Sequence, residues 1–144
     1  MKKICIIIVN WNRKNDTLAC LTSLKKIARG QNTVEIVVVD NASSDGSAQE
    51  VTKKFPEVTV LPSKTNDGFT GGNNRGMRYA YEQGADFVWL LNNDTMVHTN
   101  VLLGLLAAFK DNTVGLAGSK IYFAPGCEFH HDRYKASESG RVIW

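Results

Sequence analysis

The chain has 144 residues, 43% of them hydrophobic and 22% charged, with a formal net charge of +3. That length suits one domain with a core of its own, and the composition excludes collagen, coiled coil and low-complexity disorder. Three cysteines at scattered spacings (Cys5, Cys20 and Cys127) exclude a disulfide scaffold and fit a reducing cytoplasm. Residues 1–72 carry 10 basic and 7 acidic side chains, and residues 73–144 carry 7 of each. No basic stripe stands out, so no nucleic-acid partner is expected. The six-residue apolar run Ile4 to Val9 stops at Asn10. It is shorter than the ~7–15 apolar residues of a secretory leader, and no small-residue cleavage site follows. The run Val101 to Phe109 is far short of the ~20 residues that span a bilayer. The expectation is a soluble, cytoplasmic chain, with room for peripheral contact at the inner face of the membrane.

In chain order, Ile4 to Val9 reads as a strand buried on both faces, because its apolarity is continuous rather than alternating. Leu18, Leu21, Leu24 and Ile27 then recur at helical spacing, with Asp16 or Thr17 to cap the start and Gly30 to end it. Val34 to Val39 is a second buried strand, stopping at Asp40-Asn41. A short helix over Ala48 to Phe55 precedes Pro56, and Val58 to Leu61 is a third strand. Asn66 to Gly76 holds four glycines and three asparagines in eleven residues and reads as a loop whose backbone can approach a ligand. A helix follows from Met77, with Tyr79 and Tyr81 as packing residues and Gly84 as its end. Phe87 to Leu91 is a fourth buried strand before Asn92-Asn93-Asp94, Val101 to Phe109 a further helix, and Ala117 to Phe123 a last strand. Strands alternating with helices predict right-handed crossovers and a mainly parallel sheet.

Ligands of open α/β sheets bind beyond the carboxyl ends of the strands. Asn10-Trp11-Asn12, Asp40-Asn41 and Asn92-Asn93-Asp94 all fall there, and the glycine-rich segment opens onto the same edge. Turn and cap chemistry alone is an alternative reading for Asp40, for Asn92-Asn93-Asp94 and, more strongly, for Asp45. The glycine segment matches neither the dinucleotide fingerprint nor the P-loop. Cys127-Glu128-Phe129-His130-His131-Asp132 carries zinc-type ligands, but adjacent histidines point apart and no second cysteine pair exists, so zinc is disfavoured. His98 reads as a turn residue.

The segments Ile8 to Asn12, Val37 to Ser47, Asn66 to Gly76 and Leu90 to Thr95 stand in order. Together they resemble the family 2 glycosyltransferases of the GT-A fold, in the subgroup that includes bacterial rhamnosyltransferases of surface-polysaccharide synthesis. The resemblance covers roughly Ile4 to Ala124. It implies a Rossmann-like α/β/α sandwich, truncated at its C-terminus. Residues 1–124 are then the nucleotide-sugar-binding domain, and 125–144 the start of an acceptor-side region, cut short.

The resemblance also implies roles. Asp40 reads the nucleobase of a UDP-, dTDP- or GDP-linked sugar donor, and Asn10, Trp11 and Asn12 line the same pocket. The segment carrying Asn66, Gly68, Gly72, Asn73 and Arg75 lies near the base and diphosphate. The family's Asp-x-Asp motif falls on Asn92-Asn93-Asp94. Its last residue, Asp94, binds Mg²⁺ or Mn²⁺, while its first is the amide Asn92, which can meet ribose but brings no charge to a metal. An arginine that many members carry in the glycine segment is replaced by Asn73. For Arg75 a solvated helix-start role is the alternative. The acceptor is a saccharide or lipid-linked saccharide, the reaction inverts the anomeric centre, and the base is expected beyond Trp144. Apolar surface left near Ile121, Phe123 and Val142 to Trp144 favours self-association. Two rivals stay open: a binding module without turnover, and a nucleotidyltransferase-like enzyme. The latter would put a glycine- and lysine-rich loop after the first strand, and Asn10 to Lys14 has no glycine.

Overall fold

The computed structural model describes residues 1–121. Its strands are β1 (Lys3–Asn10), β2 (Thr33–Asp40), β3 (Thr59–Pro62) and β4 (Phe87–Asn92). Its helices are α1 (Lys14–Leu24), α2 (Ser47–Lys54), α3 (Gly68–Glu82) and α4 (Val101–Ala108). Met1–Leu103 forms one compact unit. The sheet runs β3-β2-β1-β4, and all three pairings are parallel.

β1 is central, and Ile4 to Ile8 are each at most 1% exposed. Alternate side chains of a strand point to opposite faces. Cys5 and Ile7 join Val37, Val39 and Ala80 in a core under α3, with Val9, Leu61, Met77 and Tyr79 packed against it. Ile4, Ile6, Ile8 and Asn10 therefore face the other layer, where Asn10 meets Thr17 of α1. The first three strands step outward from β1 to β3, and β4 then returns to the far side of β1. That reversal of strand order is a topological switch point, the place where such sheets open a crevice for a ligand.

Several sequence expectations need correction. The glycine-rich segment is not a loop: from Gly68 onward it is the first half of α3. Gly72 and Gly76 lie one turn apart and face the sheet. A Cβ on Gly72 would sit 2.6 Å from Val9 Cγ1, and one on Gly76 would collide with Ile7 Cγ2. Helix propensity, weaker at glycine by about 1 kcal/mol, is outweighed by this close packing. α1 begins at Lys14 with no side-chain cap, so neither Asp16 nor Thr17 caps it, and it ends at Leu24. Gly30 lies beyond the turns that bury Ile27. β4 is only half-buried on one face, and Val88 and Leu90 on the other are 41% and 44% exposed, because α3 packs over β1 and β2 and leaves that face of β4 largely uncovered. Residues 117–121 form no strand. Tyr81 is exposed rather than packed, whereas Tyr79 donates to Glu35 Oε1 at 2.6 Å. The expected boundary after residue 124 and the Cys127 to Asp132 cluster lie outside the described residues.

Candidate functional site

Strand register sets the site. Asn10 is opposite Asp40, Val9 opposite Asn92, and Asp40 opposite Pro62. All four strand ends thus reach the same rim, with Asn10 at the switch point between β2 and β4.

Under that rim lies a buried polar network. Asn10 and Thr17 are fully buried, and Asp40 is 4% exposed. Asn10 Nδ2 donates to Asp40 Oδ1 at 2.9 Å and to Ser43 Oγ at 3.0 Å. The Thr17 hydroxyl donates to Asn10 Oδ1 at 2.8 Å. Asn93 Nδ2 donates to Thr17 Oγ1 at 3.1 Å, and more weakly to Asn10 Oδ1 at 3.4 Å. The backbone N–H of Ser43 donates to Asp40 Oδ2 at 3.2 Å. Buried polar groups left unpaired cost about 1–3 kcal/mol each, and here they answer one another. Asp40 is thereby held with one oxygen toward β1 and the other toward its own loop.

The loops after β1 and β2 clasp each other. Asn12 N–H donates to Ser43 Oγ at 3.0 Å, and Ser44 N–H to Asn12 Oδ1 at 2.8 Å. Asn12 and Ala42 both have positive φ, at 51° and 61°. A left-handed alanine is uncommon and costs of order 1–3 kcal/mol, so these cross-loop bonds hold a strained turn at the rim. Asp45 joins the two helix starts: it accepts from Lys14 N–H at 3.0 Å and from the N–H and hydroxyl of Ser47. Burial pushes its carboxyl upward, but the Ser47 hydroxyl and the Lys14 and Ser47 N–H groups outweigh that and hold it below the ordinary carboxylate range.

Trp11 caps the rim with its side chain 55% exposed, and Phe69, at the start of α3, is also exposed. Asn41 ties the third segment in. Its Nδ2 donates to Asn66 Oδ1 and to Gly68 O, both at 2.9 Å. Asn66 and Gly68 are therefore at the rim. Gly72 faces the sheet instead, and Asn73 is buried with Nδ2 donating to Phe69 O one turn back, at 3.0 Å. Arg75 reaches the end of β3, donating to Pro62 O at 2.8 Å and Ser63 Oγ at 3.0 Å. Gly72 and Arg75 hold α3 to the sheet, whereas the Asn73 bond stays within the helix.

Beyond β4, Asn92 and Asp94 are exposed. Among the described residues no hydrogen bond or ion pair holds the Asp94 carboxylate. The Asn92 carbonyl accepts from Thr95 Oγ1 at 2.7 Å and from the Cys20 thiol at 3.7 Å. No group of three or more His, Cys, Asp or Glu side chains able to hold a metal ion occurs among the described residues. Among the described residues, then, the rim supplies one exposed carboxylate that no hydrogen bond or ion pair holds, Asp94, rather than an all-protein cage. It fits Mg²⁺ or Mn²⁺, hard cations that bind through one or two carboxylates plus substrate phosphate oxygens. Sequence reasoning placed Asn41 on the rim without giving it a role, and it missed Thr17 and Ser43 as site residues. Thr17 read only as a cap, because a threonine seven residues after a strand end gives no local sign that it points back under that strand. No helix among the described residues is long and apolar enough to cross a membrane.

Known proteins resemble this chain in sequence and in fold. The Low-salt glycan biosynthesis hexosyltransferase Agl10 of Haloferax volcanii is 27% identical over 119 residues, covering 82% of this chain and 36% of its own length. The Galactofuranosyltransferase GlfT1 of Mycolicibacterium smegmatis is 33% identical over 106 residues, covering 72% of this chain and 34% of its own. The chain thus spans about a third of the length of these relatives. Among solved structures, the mannosyltransferase PcManGT of Pyrobaculum calidifontis, in complex with GDP-Man and Mn2+, superposes with a TM-score of 0.69 at 21% identity, over 78% of this chain and 33% of that one. TarS 1-349 of S. aureus in complex with UDP-GlcNAc superposes with a TM-score of 0.63 at 27% identity, over 76% and 31%. The fold is the GT-A fold. The family model described as Glycosyl transferase family 2 matches residues 5–142, nearly the whole chain, and the chain belongs to that family.

Proposed function

We propose that the chain binds the nucleotide diphosphate of a sugar donor at this rim, as the donor-side part of an inverting glycosyltransferase. The acceptor is a saccharide or lipid-linked saccharide of cell-surface polysaccharide synthesis. One observation carries the reading: two carboxylates of opposite character stand on either side of the switch point. Asp40 is buried and fixed by Asn10 and Ser43, as a group must be to accept one defined N–H from a pyrimidine imide. Asp94 is exposed and held by no hydrogen bond or ion pair among the described residues, as suits a group that meets a cation. The exposed indole of Trp11 offers an apolar face for the base, and Asn92 offers an amide to ribose. At the start of α3 the Gly68 N–H is taken by Asn66 Oδ1 at 2.9 Å, while the N-cap residue Asp67 makes no side-chain cap bond, so the next N–H groups of the first turn are the ones that favour phosphate oxygens. Mg²⁺ or Mn²⁺ held by Asp94 would supply the charge neutralisation that a departing nucleoside diphosphate needs. The complexes of neighbours with GDP-Man and Mn2+, and with UDP-GlcNAc, support the donor class. The relatives' names span hexosyl, galactofuranosyl and mannosyl transfer, so the rhamnosyl assignment rests on the motifs alone.

Calorimetry with UDP, dTDP and GDP tests the reading. At least one binds, binding tightens with Mn²⁺, and Asp94→Ala removes the gain. Equal affinity in chelator overturns the metal role, and no binding of any of the three overturns the donor reading.

A further inference from the structure

The buried network has a direction. A threonine hydroxyl has one proton, and Thr17 gives it to Asn10 Oδ1, so its lone pair is what receives Asn93 Nδ2. Asn10, with its carbonyl oxygen turned toward Thr17, must present its NH₂ to Asp40 and Ser43. The chain of donors therefore runs one way, from Asn93 through Thr17 and Asn10 to the Asp40 carboxylate. It crosses the ends of β4, β1 and β2, and its middle comes from α1. Such chains polarise their members and act as a unit.

We propose that Thr17 is a positioning residue that couples the two halves of the site: its hydroxyl fixes the amide of Asn10 against Asp40 and, at the same time, the amide of Asn93 beside Asp94. Thr17 is fully buried, out of reach of a molecule on the rim, so it acts through these neighbours. The proposal rests on the donor-binding reading for its functional consequence. Its structural content, one hydroxyl joining two side-chain amides, is independent of that reading. Removing the hydroxyl leaves Asn10 Oδ1 with only the 3.4 Å contact to Asn93, and leaves Asn93 Nδ2 with the same contact alone. Both ends of the site then lose a fixed partner, and the advantage that Mn²⁺ gives to nucleotide binding shrinks along with the affinity itself.

The test uses the full chain with Thr17→Val, which keeps the shape and removes the hydroxyl, and Thr17→Ser, which restores the hydroxyl without the methyl. UDP, dTDP and GDP affinities are measured with Mn²⁺ and with chelator, and the side-chain amide resonances of Asn10 and Asn93 are followed by NMR. Thr17→Val is expected to weaken binding in Mn²⁺ by about three- to tenfold and to reduce the Mn²⁺ gain. Thr17→Ser restores both. In the amide spectra Asp40→Asn shifts the Asn93 side chain in the parent, and no longer does so once Thr17 is valine. Affinity and Mn²⁺ gain unchanged in a folded Thr17→Val protein overturn the proposal, as does a loss that Thr17→Ser shares. If the parent binds no nucleotide, the donor reading fails and the amide spectra decide alone: an Asp40→Asn perturbation that reaches Asn93 equally with threonine or valine refutes the relay. If Thr17→Val does not fold, Thr17→Ser against Thr17→Ala, read by the same shifts, takes its place.

Discussion

Asp40 ends β2, Asp45 lies five positions on in the loop that follows, and the two do different work. Asp40 carries its bonds under the rim, to Asn10 and Ser43, whereas Asp45 binds the starts of two helices. Asp40→Ala is expected to weaken nucleotide binding by more than ~10-fold, since a hydrogen bond to a charged group is worth about 1.5–3 kcal/mol. Asp45→Ala is expected to leave affinity near the parent's and to cost ~1 kcal/mol of stability, as lost helix-start bonds do. Calorimetry and thermal melts on the two variants separate these outcomes, and a reversal would exchange the roles. The pH dependence has a fixed sign. Because the folded Asp45 carboxyl titrates below its ordinary value of ~3.9, its contribution is complete above that value and is lost as pH falls through the lower folded value. Melting temperatures of the parent and Asp45→Asn should differ by a constant amount at neutral pH and converge only in acid.

Two thiols give a further check at this scale. Burial pushes both Cys5 and Cys20 up to about 11, with Glu35 adding to the effect on Cys5 and Asp94 to that on Cys20. Neither is expected to be alkylated in the folded protein at neutral pH, although Cys20 lies directly under the Asn92 carbonyl. Peptide mapping after iodoacetamide treatment reads this. Rapid modification of Cys20 in the native state would show that the rim opens far more than the packing of α1 allows.

At the scale of elements, β1 and β2 were legible because continuous β-branched runs have few alternatives to a doubly covered strand. The same pattern misled at β4, whose Val88 and Leu90 sit on an uncovered face: a run of apolar residues says that burial is available, not that this part of the chain supplies it. The glycines of α3 misled more. Their density reads as loop, yet the stripe Gly72 and Gly76 exists because Val9 and Ile7 occupy the space where Cβ atoms would lie. That information belongs to the partner strand and is invisible locally. A contrast among glycines follows. Gly72→Ala and Gly76→Ala gain helix propensity but overpack the sheet, and should lose about 1–3 kcal/mol net. Gly104→Ala, in α4 with open space where the new methyl would stand, should gain up to ~1 kcal/mol. Urea titrations of the three variants check this, and equal effects at all three would remove the packing explanation for α3.

For the whole molecule, the positions of Asn10, Asp40, Asn92 and Asp94 on one rim followed from sequence, because strand ends of a parallel sheet share an edge. Their connection through Thr17 and Ser43 did not, since it depends on how α1 returns beneath the strands. We propose that residues 1–121 bind the donor without supplying the base for transfer. Among the described residues, the rim carboxylates are already committed: Asp40 and Asp45 to the loops, Asp67 to Thr65, and Asp94 to the proposed cation. None is left to deprotonate an acceptor hydroxyl, a role worth ~10²–10⁴-fold. A radiolabelled-donor assay with a lipid-linked acceptor should show no transfer, and robust transfer would place the base within the 144 residues.

The central claim is that a donor nucleotide occupies the carboxyl rim at the switch point. Backbone amide chemical-shift mapping during titration with UDP, dTDP or GDP and Mg²⁺ tests it most directly. The expected shifts fall on Asn10 to Asn12, Asp40 to Ser44, Asn66 to Phe69 and Asn92 to Thr95, and spare Lys2, Lys3 and Gly84 to Asp86 at the opposite end of the sheet. Shifts clustered at that opposite end would contradict the account, and so would an unchanged spectrum at saturating concentrations of all three nucleotides.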